Sequence, residues 1–204
     1  MEQFTQSLLL ICVLLNPFIM SVYLLSLIKE VPLGQFSSIM FRAGLISFIV
    51  FFLFAWVGEV IFDSVLQVRF LAFMIFGGIT FLIIGVRLIL GIGPPMATIN
   101  PQSREIAGAI AMPFIVGPGT ISASVIAGTQ LGLLRSTIAI ALGLTLALGS
   151  IILFKKLHDF VQKRKERYVE RYVEIAGRIT ALFTGSFAVD MILKGIERWV
   201  QLVF

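Results

Sequence analysis

Six runs of mostly apolar positions, each about 20 residues long, alternate with short stretches rich in proline, glycine or charge: 7–28, 40–61, 70–91, 106–129, 135–154 and 177–200. A helix rises 1.5 Å per residue, so about 20 apolar residues match the ~30 Å hydrocarbon core of a bilayer. The pattern predicts an all-α, polytopic membrane protein with six transmembrane helices. Residues 29–39 hold Pro32 and Gly34, and residues 92–105 hold Gly93-Pro94-Pro95 and Asn100-Pro101, so these connections are short turns. Only 155–176 is longer. It repeats Arg167-Tyr168-Val169-Glu170 as Arg171-Tyr172-Val173-Glu174, a four-residue period suited to a short surface helix. Nothing is left over for a soluble domain, so 1–204 reads as a single transmembrane domain.

The two halves resemble each other. Gly77-x-Ile79-Thr80 with Gly85 recurs as Gly177-x-Ile179-Thr180 with Gly185 at an offset of 100, and Pro17 is matched by Pro118 at an offset of 101. The expected organisation is repeat one over 1–91, a linker over 92–105 and repeat two over 106–204, the last containing a basic cytoplasmic loop at 155–176. Three spans per repeat is an odd number, so the repeats are inverted relative to each other. Inverted repeats with interrupted helices at matching positions are the construction of many secondary transporters.

Composition agrees with the pattern. Apolar residues make up 58% and charged residues 13%, against ~45–50% and ~25% in soluble domains. The net charge of +5 does not point to nucleic acid. Seven of the sixteen Lys and Arg (Lys155, Lys156, Lys163, Arg164, Lys165, Arg167 and Arg171) fall in the one stretch 155–176, which is a topology signal first. Under the positive-inside rule that stretch is cytoplasmic, which places both termini outside. It is also the surface expected to meet anionic lipid. The start, Met1-Glu2-Gln3, lacks a basic n-region, so the first helix is expected to remain in the mature protein. Cys12 is alone and His158 is the single histidine, within the basic stretch; neither a metal nor a cofactor is expected.

Chemistry is expected where the helices break. Asn16-Pro17-Phe18 lies inside the first span, and Met112-Pro113-Phe114-Ile115-Val116-Gly117-Pro118-Gly119-Thr120 inside the fourth. Proline lacks an N–H and clashes with the carbonyl one turn back, so each span should break there. A break inside hydrocarbon persists only if buried in protein or lining a wet cavity. It also creates a half-helix N-terminus whose free N–H groups attract anions. The candidate substrate site is therefore Asn16, Pro17, Gly117, Pro118, Gly119, Thr120 and Ser122, with the glycines leaving the backbone open to a ligand. The competing reading is two kinks that only shape packing.

Charges inside spans are candidates because burying them is costly. Asp190, near the middle of 177–200, is either a proton-coupling carboxylate or half of a structural pair with Lys194, one turn on. Arg42, Arg87 and Arg178 lie near span ends, where they can reach phosphates. Glu59 and Asp63 sit at the outer end of the second span. Ala139, Gly143 and Ala147 recur every four residues, as at close helix contacts.

Asn16-Pro17-Phe18, Arg42, Gly58-Glu59, Gly77-Gly78-Ile79, Pro113-x-x-x-Gly117-Pro118-Gly119 and Gly195-Ile196 together resemble the MarC family of prokaryotic membrane proteins over essentially the whole chain. The resemblance implies transport of small neutral amino acids such as glycine, alanine or threonine, as in one branch of that family. The chain departs from the family pattern at Ile19-Met20, where small and polar residues are usual. The expected function is thus a secondary transporter, an exporter or exchanger, with proton coupling as one arrangement. A channel for small solutes and a non-catalytic membrane assembly partner are the alternatives. An intramembrane enzyme is not expected, because no carboxylate pair, Ser/His dyad or His/Asp cluster lies in the spans. A homo-oligomer stays open.

Overall fold

The computed structural model of the chain describes residues 2–58, 60–62, 67–90, 106–111, 115–161 and 166–203. All regular structure among them is helical: α1 (Glu2–Leu15), α2 (Pro17–Tyr23), α3 (Leu25–Glu30), α4 (Leu33–Val57), α5 (Phe70–Ile89), α6 (Ile106–Ile110), α7 (Pro118–Val161) and α8 (Glu166–Val203). Three of them are long and apolar enough to cross a membrane: Leu33–Val57, Phe70–Arg87 and Pro118–Phe160. Glu59, Asp63, Pro113 and the linker 92–105 with Arg104 lie outside the described residues.

The 43 residues of Pro118–Phe160 would reach about 65 Å if straight, twice a bilayer core. They are not straight. Gly132, at φ 71 and ψ 167, interrupts the helix with a backbone conformation that side chains disfavour. Contacts with α4 show what the interruption does. A side chain at Gly128 would strike the Ala55 backbone, and one at Gly44 would strike Leu148. Along α4 those two contacts are roughly 16 Å apart; along an unbroken α7 they would be roughly 30 Å apart. A chain that turns back at Gly132 brings them to roughly 18 Å, so α7 is two arms. Arm two packs its small residues Ala139, Gly143 and Ala147 inward, with Gly143 against Ile11 of α1.

α5 and α8 run antiparallel at very short range. A Cβ at Gly78 would meet the Ala188 carbonyl and Ile192; one at Gly85 would meet Ala181 and Gly185; one at Gly195 would meet Ile75 and Leu71. Small residues let the two backbones approach, the packing that replaces a hydrophobic driving force in lipid. At the far end of α5 an aromatic cluster joins it to α4. The Phe62 ring lies 5.8 Å from Phe54, 5.1 Å from Phe70 and 4.9 Å from Phe73.

Two expectations change. The helix expected from 40 begins at Leu33, because Pro32, extended at φ −59 and ψ 146, sets its start. The basic stretch is not a loop throughout: α7 stays helical to Val161, and α8 begins at Glu166, one residue before the Arg-Tyr-Val-Glu repeat, which it carries. Lys155 and His158 are 3% and 2% exposed, not solvated. The charge of Lys155 is buried because it finds partners: its Nζ donates to the Ile28 carbonyl at 2.6 Å and to Asp159 at 2.6 Å. Ile28 is in the last turn of α3, where carbonyls lack helical partners, so Lys155 caps one half of the chain from the other.

Candidate functional site

The first apolar run breaks at Asn16. Its φ of 26 is a left-handed conformation that asparagine tolerates better than most residues, and Pro17 then opens α2 without an N–H to waste. The Asn16 side chain reaches across the molecule. Its Nδ2 donates to Thr184 Oγ1 on α8 at 3.0 Å, and both residues are buried. Beyond the break, the Ser21 hydroxyl donates back to the Pro17 carbonyl at 2.7 Å, a bond that tends to bend a helix.

The second break is tied differently. Val116 N–H reaches back five residues to the Ala111 carbonyl at 2.8 Å, a widened turn. Pro118 then starts α7. The Thr120 hydroxyl accepts from Gly117 N–H at 2.9 Å, and its one proton is offered to the Ile115 carbonyl at 2.8 Å or the Gly117 carbonyl at 3.0 Å. Thr120 is therefore occupied in holding the break. Ser122 is not: it is fully buried, and its hydroxyl oxygen has no hydrogen-bond partner. One turn from Gly119, it shares that residue's helix face. Buried polar atoms are nearly always partnered, so this hydroxyl marks a place where a polar ligand atom would be welcome.

Gly119 does not leave the backbone open as the sequence suggested. A Cβ there would collide with the Phe81 ring of α5, and one at Gly77 would meet the Pro118 and Gly119 backbone. Phe81 and Gly77 seat the second break in a socket on α5 and close it. The cross-packing is reciprocal: the break at Asn16 leans on α8, the break at Pro118 leans on α5, and α2 touches both α7 and α8. Thr184 neighbours Gly185, which lies against Gly85, one helical turn from Phe81. Both breaks therefore sit at similar depth beside the α5–α8 pair.

The remaining candidates are apart from this site. Asp190 bonds Lys194 at 2.8 Å, and the pair is half exposed on the outward side of α8. Arg42 is exposed on α4, and Glu59 lies outside the described residues. Among the described residues no group of three or more His, Cys, Asp or Glu could hold a metal. A groove of ≈ 460 Å³ between α4 and arm two of α7, lined by Met40, Gly44, Leu144 and Leu148 among others, is apolar and is lined by neither break. Sequence reasoning missed Thr184, Phe81 and the Lys155–Ile28 contact. Thr184 and Phe81 stand in apolar runs with no local signal. Lys155 hid among other cations.

Comparison with known proteins adds a family. The model of the MarC family integral membrane proteins matches residues 1–200. A Pyrococcus horikoshii protein named "UPF0056 membrane protein PH0214" is 30% identical over 201 residues, covering 96% of this chain and 94% of its own. No solved structure matches.

Proposed function

The chain belongs to the MarC family of integral membrane proteins, and from that premise we propose that it is a secondary transporter of small neutral amino acids, an exporter or exchanger that performs no covalent chemistry. The observation that carries the reading is the pair of helix breaks, each seated on a helix from the other half of the chain. Helices that only span or only pack have no need of two. The inverted-repeat reading has independent support. Gly85 lies against Gly185, its mate at an offset of 100, in an antiparallel pair of helices. A two-fold axis passing between α5 and α8 would bring a residue against its own mate in this way.

In this reading the six spans lie in a prokaryotic plasma membrane with both termini outside and the cations of 155–176 inside. The substrate carboxylate is held at the start of α7, where backbone N–H groups and the helix dipole favour negative charge. Ser122 supplies a neutral hydrogen bond, and the Asn16 amide supplies another once it leaves Thr184. Phe81 covers that site in the conformation described here, so loading requires the ring to swing aside. The Asp190–Lys194 pair is left out of the binding step, because it faces away from both breaks.

The test is a screen of neutral amino acids by thermal shift on the purified protein, with Ser122→Ala beside the wild type. A ligand that binds only the native state raises its apparent stability. The expected result is a shift for the wild type with glycine, alanine or threonine that disappears in Ser122→Ala, while the unliganded variant melts no lower. No shift with any of them, and no uptake into liposomes carrying the protein, would remove the reading.

A further inference from the structure

One face of α8 presents a problem that the transporter reading does not touch. Phe183, Ser186, Asp190 and Lys194 follow one another at spacings of three and four and form a stripe, and all four are exposed. The stripe lies opposite the face that buries Ala181, Thr184, Ala188 and Met191 against the rest of the molecule. Its depth is fixed by α5. Gly78 stands against Ala188 and Ile192, and Gly78 is in the middle of the apolar window Phe70–Arg87. The ion pair therefore sits inside the hydrocarbon slab and faces outward, with Asp190 51% and Lys194 62% exposed. Lysine can snorkel toward an interface; a short aspartate cannot. Charges at such depth face protein or water, not lipid tails.

We propose that this stripe is the seam of a homodimer, with a second copy packed beside the first about a two-fold axis along the bilayer normal. The pair is self-complementary. Two parallel copies of α8 bring two carboxylates and two ammonium groups together, and the four charges sum to zero. Each carboxylate lies one helical turn, about 6 Å, in depth from the neighbour's ammonium, within reach of a lysine stem. Lipid headgroups do not extend to this depth, and acyl chains offer nothing to a charge. A two-fold interface uses the same patch on both copies, so a lone face carrying both signs suits it. The inference rests on membrane insertion and not on the transport reading, and it survives if no amino acid is carried.

The test is disulfide crosslinking in native membranes, with Cys12→Ser as background. Ser186→Cys is expected to give a covalent dimer on oxidation, and Leu142→Cys, exposed on α7, is expected to give none. Light scattering of the purified protein is expected to show a dimer for the wild type, a monomer for Asp190→Lys, which gathers four cations at the seam, and a dimer again for Asp190→Lys/Lys194→Asp. Should Asp190→Lys fail to fold, the crosslink and the swapped pair still decide. A monomeric wild type without the crosslink overturns the proposal. In that case reaction of Ser186→Cys with a membrane-impermeant maleimide identifies a water path, and no reaction identifies a lipid-facing stripe. An Asp190→Lys protein that stays dimeric overturns it as well.

Discussion

Asn16 and Thr184 are 168 positions apart in the chain and share a buried hydrogen bond of 3.0 Å. It is the point at which the broken first span is fastened to the last helix. Asn16→Ala removes the donor and replaces a residue suited to φ 26. Thermal unfolding should show a loss of about 1–3 kcal/mol, and Thr184→Val a similar loss. The double variant should fall well short of the sum, since the two act through one contact. Full additivity would mean that the bond contributes nothing.

At the second break the prediction concerns space. Gly119→Ala places a methyl where the Phe81 ring lies, and overpacking of a tight site costs typically ~1–3 kcal/mol. In a Phe81→Ala background the same glycine substitution should cost little, because the ring it meets is gone. If the reading of the site is right, Phe81→Ala alone should bind amino acids more readily, as a larger ligand-dependent melting shift. Gly119→Ala melting like the wild type would show that the ring does not fill this space.

Much of this architecture is legible in residue type alone. Pro17 and Pro118 mark the breaks because a proline in a helix cannot be hidden, and the apolar runs mark the helices because hydrocarbon allows little else. What closes the breaks is not legible. Thr184 and Phe81 become partners only when α5 and α8 are brought beside the prolines, and their neighbours in sequence give no hint. Gly119 misled for the same reason: the absence of a side chain says that something comes close, but not whether it is a ligand or a ring. The end of α7 was misread because a count of cations assumes that cations are wet. Lys155 satisfies itself on Ile28 and Asp159, and the count cannot see that.

Lys155 and Lys156 make a sharp comparison. Lys155→Met leaves the Ile28 carbonyl and Asp159 without their donor and should lower stability by about 1–3 kcal/mol in thermal unfolding. Lys156 is exposed, and Lys156→Met should stay within about 0.5 kcal/mol of the wild type. Equal effects would place Lys155 in solvent after all.

Orientation can be read with single cysteines at Gln3, Lys156 and Gln201 in the Cys12→Ser background. An impermeant maleimide added to intact cells should label positions 3 and 201, and position 156 only after lysis. Labelling of position 156 from outside would invert the topology.

The contacts at the glycines also sort them by what evolution can do with them. At Gly44 and Gly143 the obstacle to a methyl group is the end of another side chain, Leu148 or Ile11, and a smaller residue there would clear it. At Gly77 and Gly78 the obstacles include main chain, the Gly119 nitrogen and the Ala188 carbonyl, which no substitution can trim. Mutational drift can therefore trade one residue for another at the first two positions, through paired changes. At the other two it has no partner to trade with, and a chain that loses either glycine has to move a helix to recover.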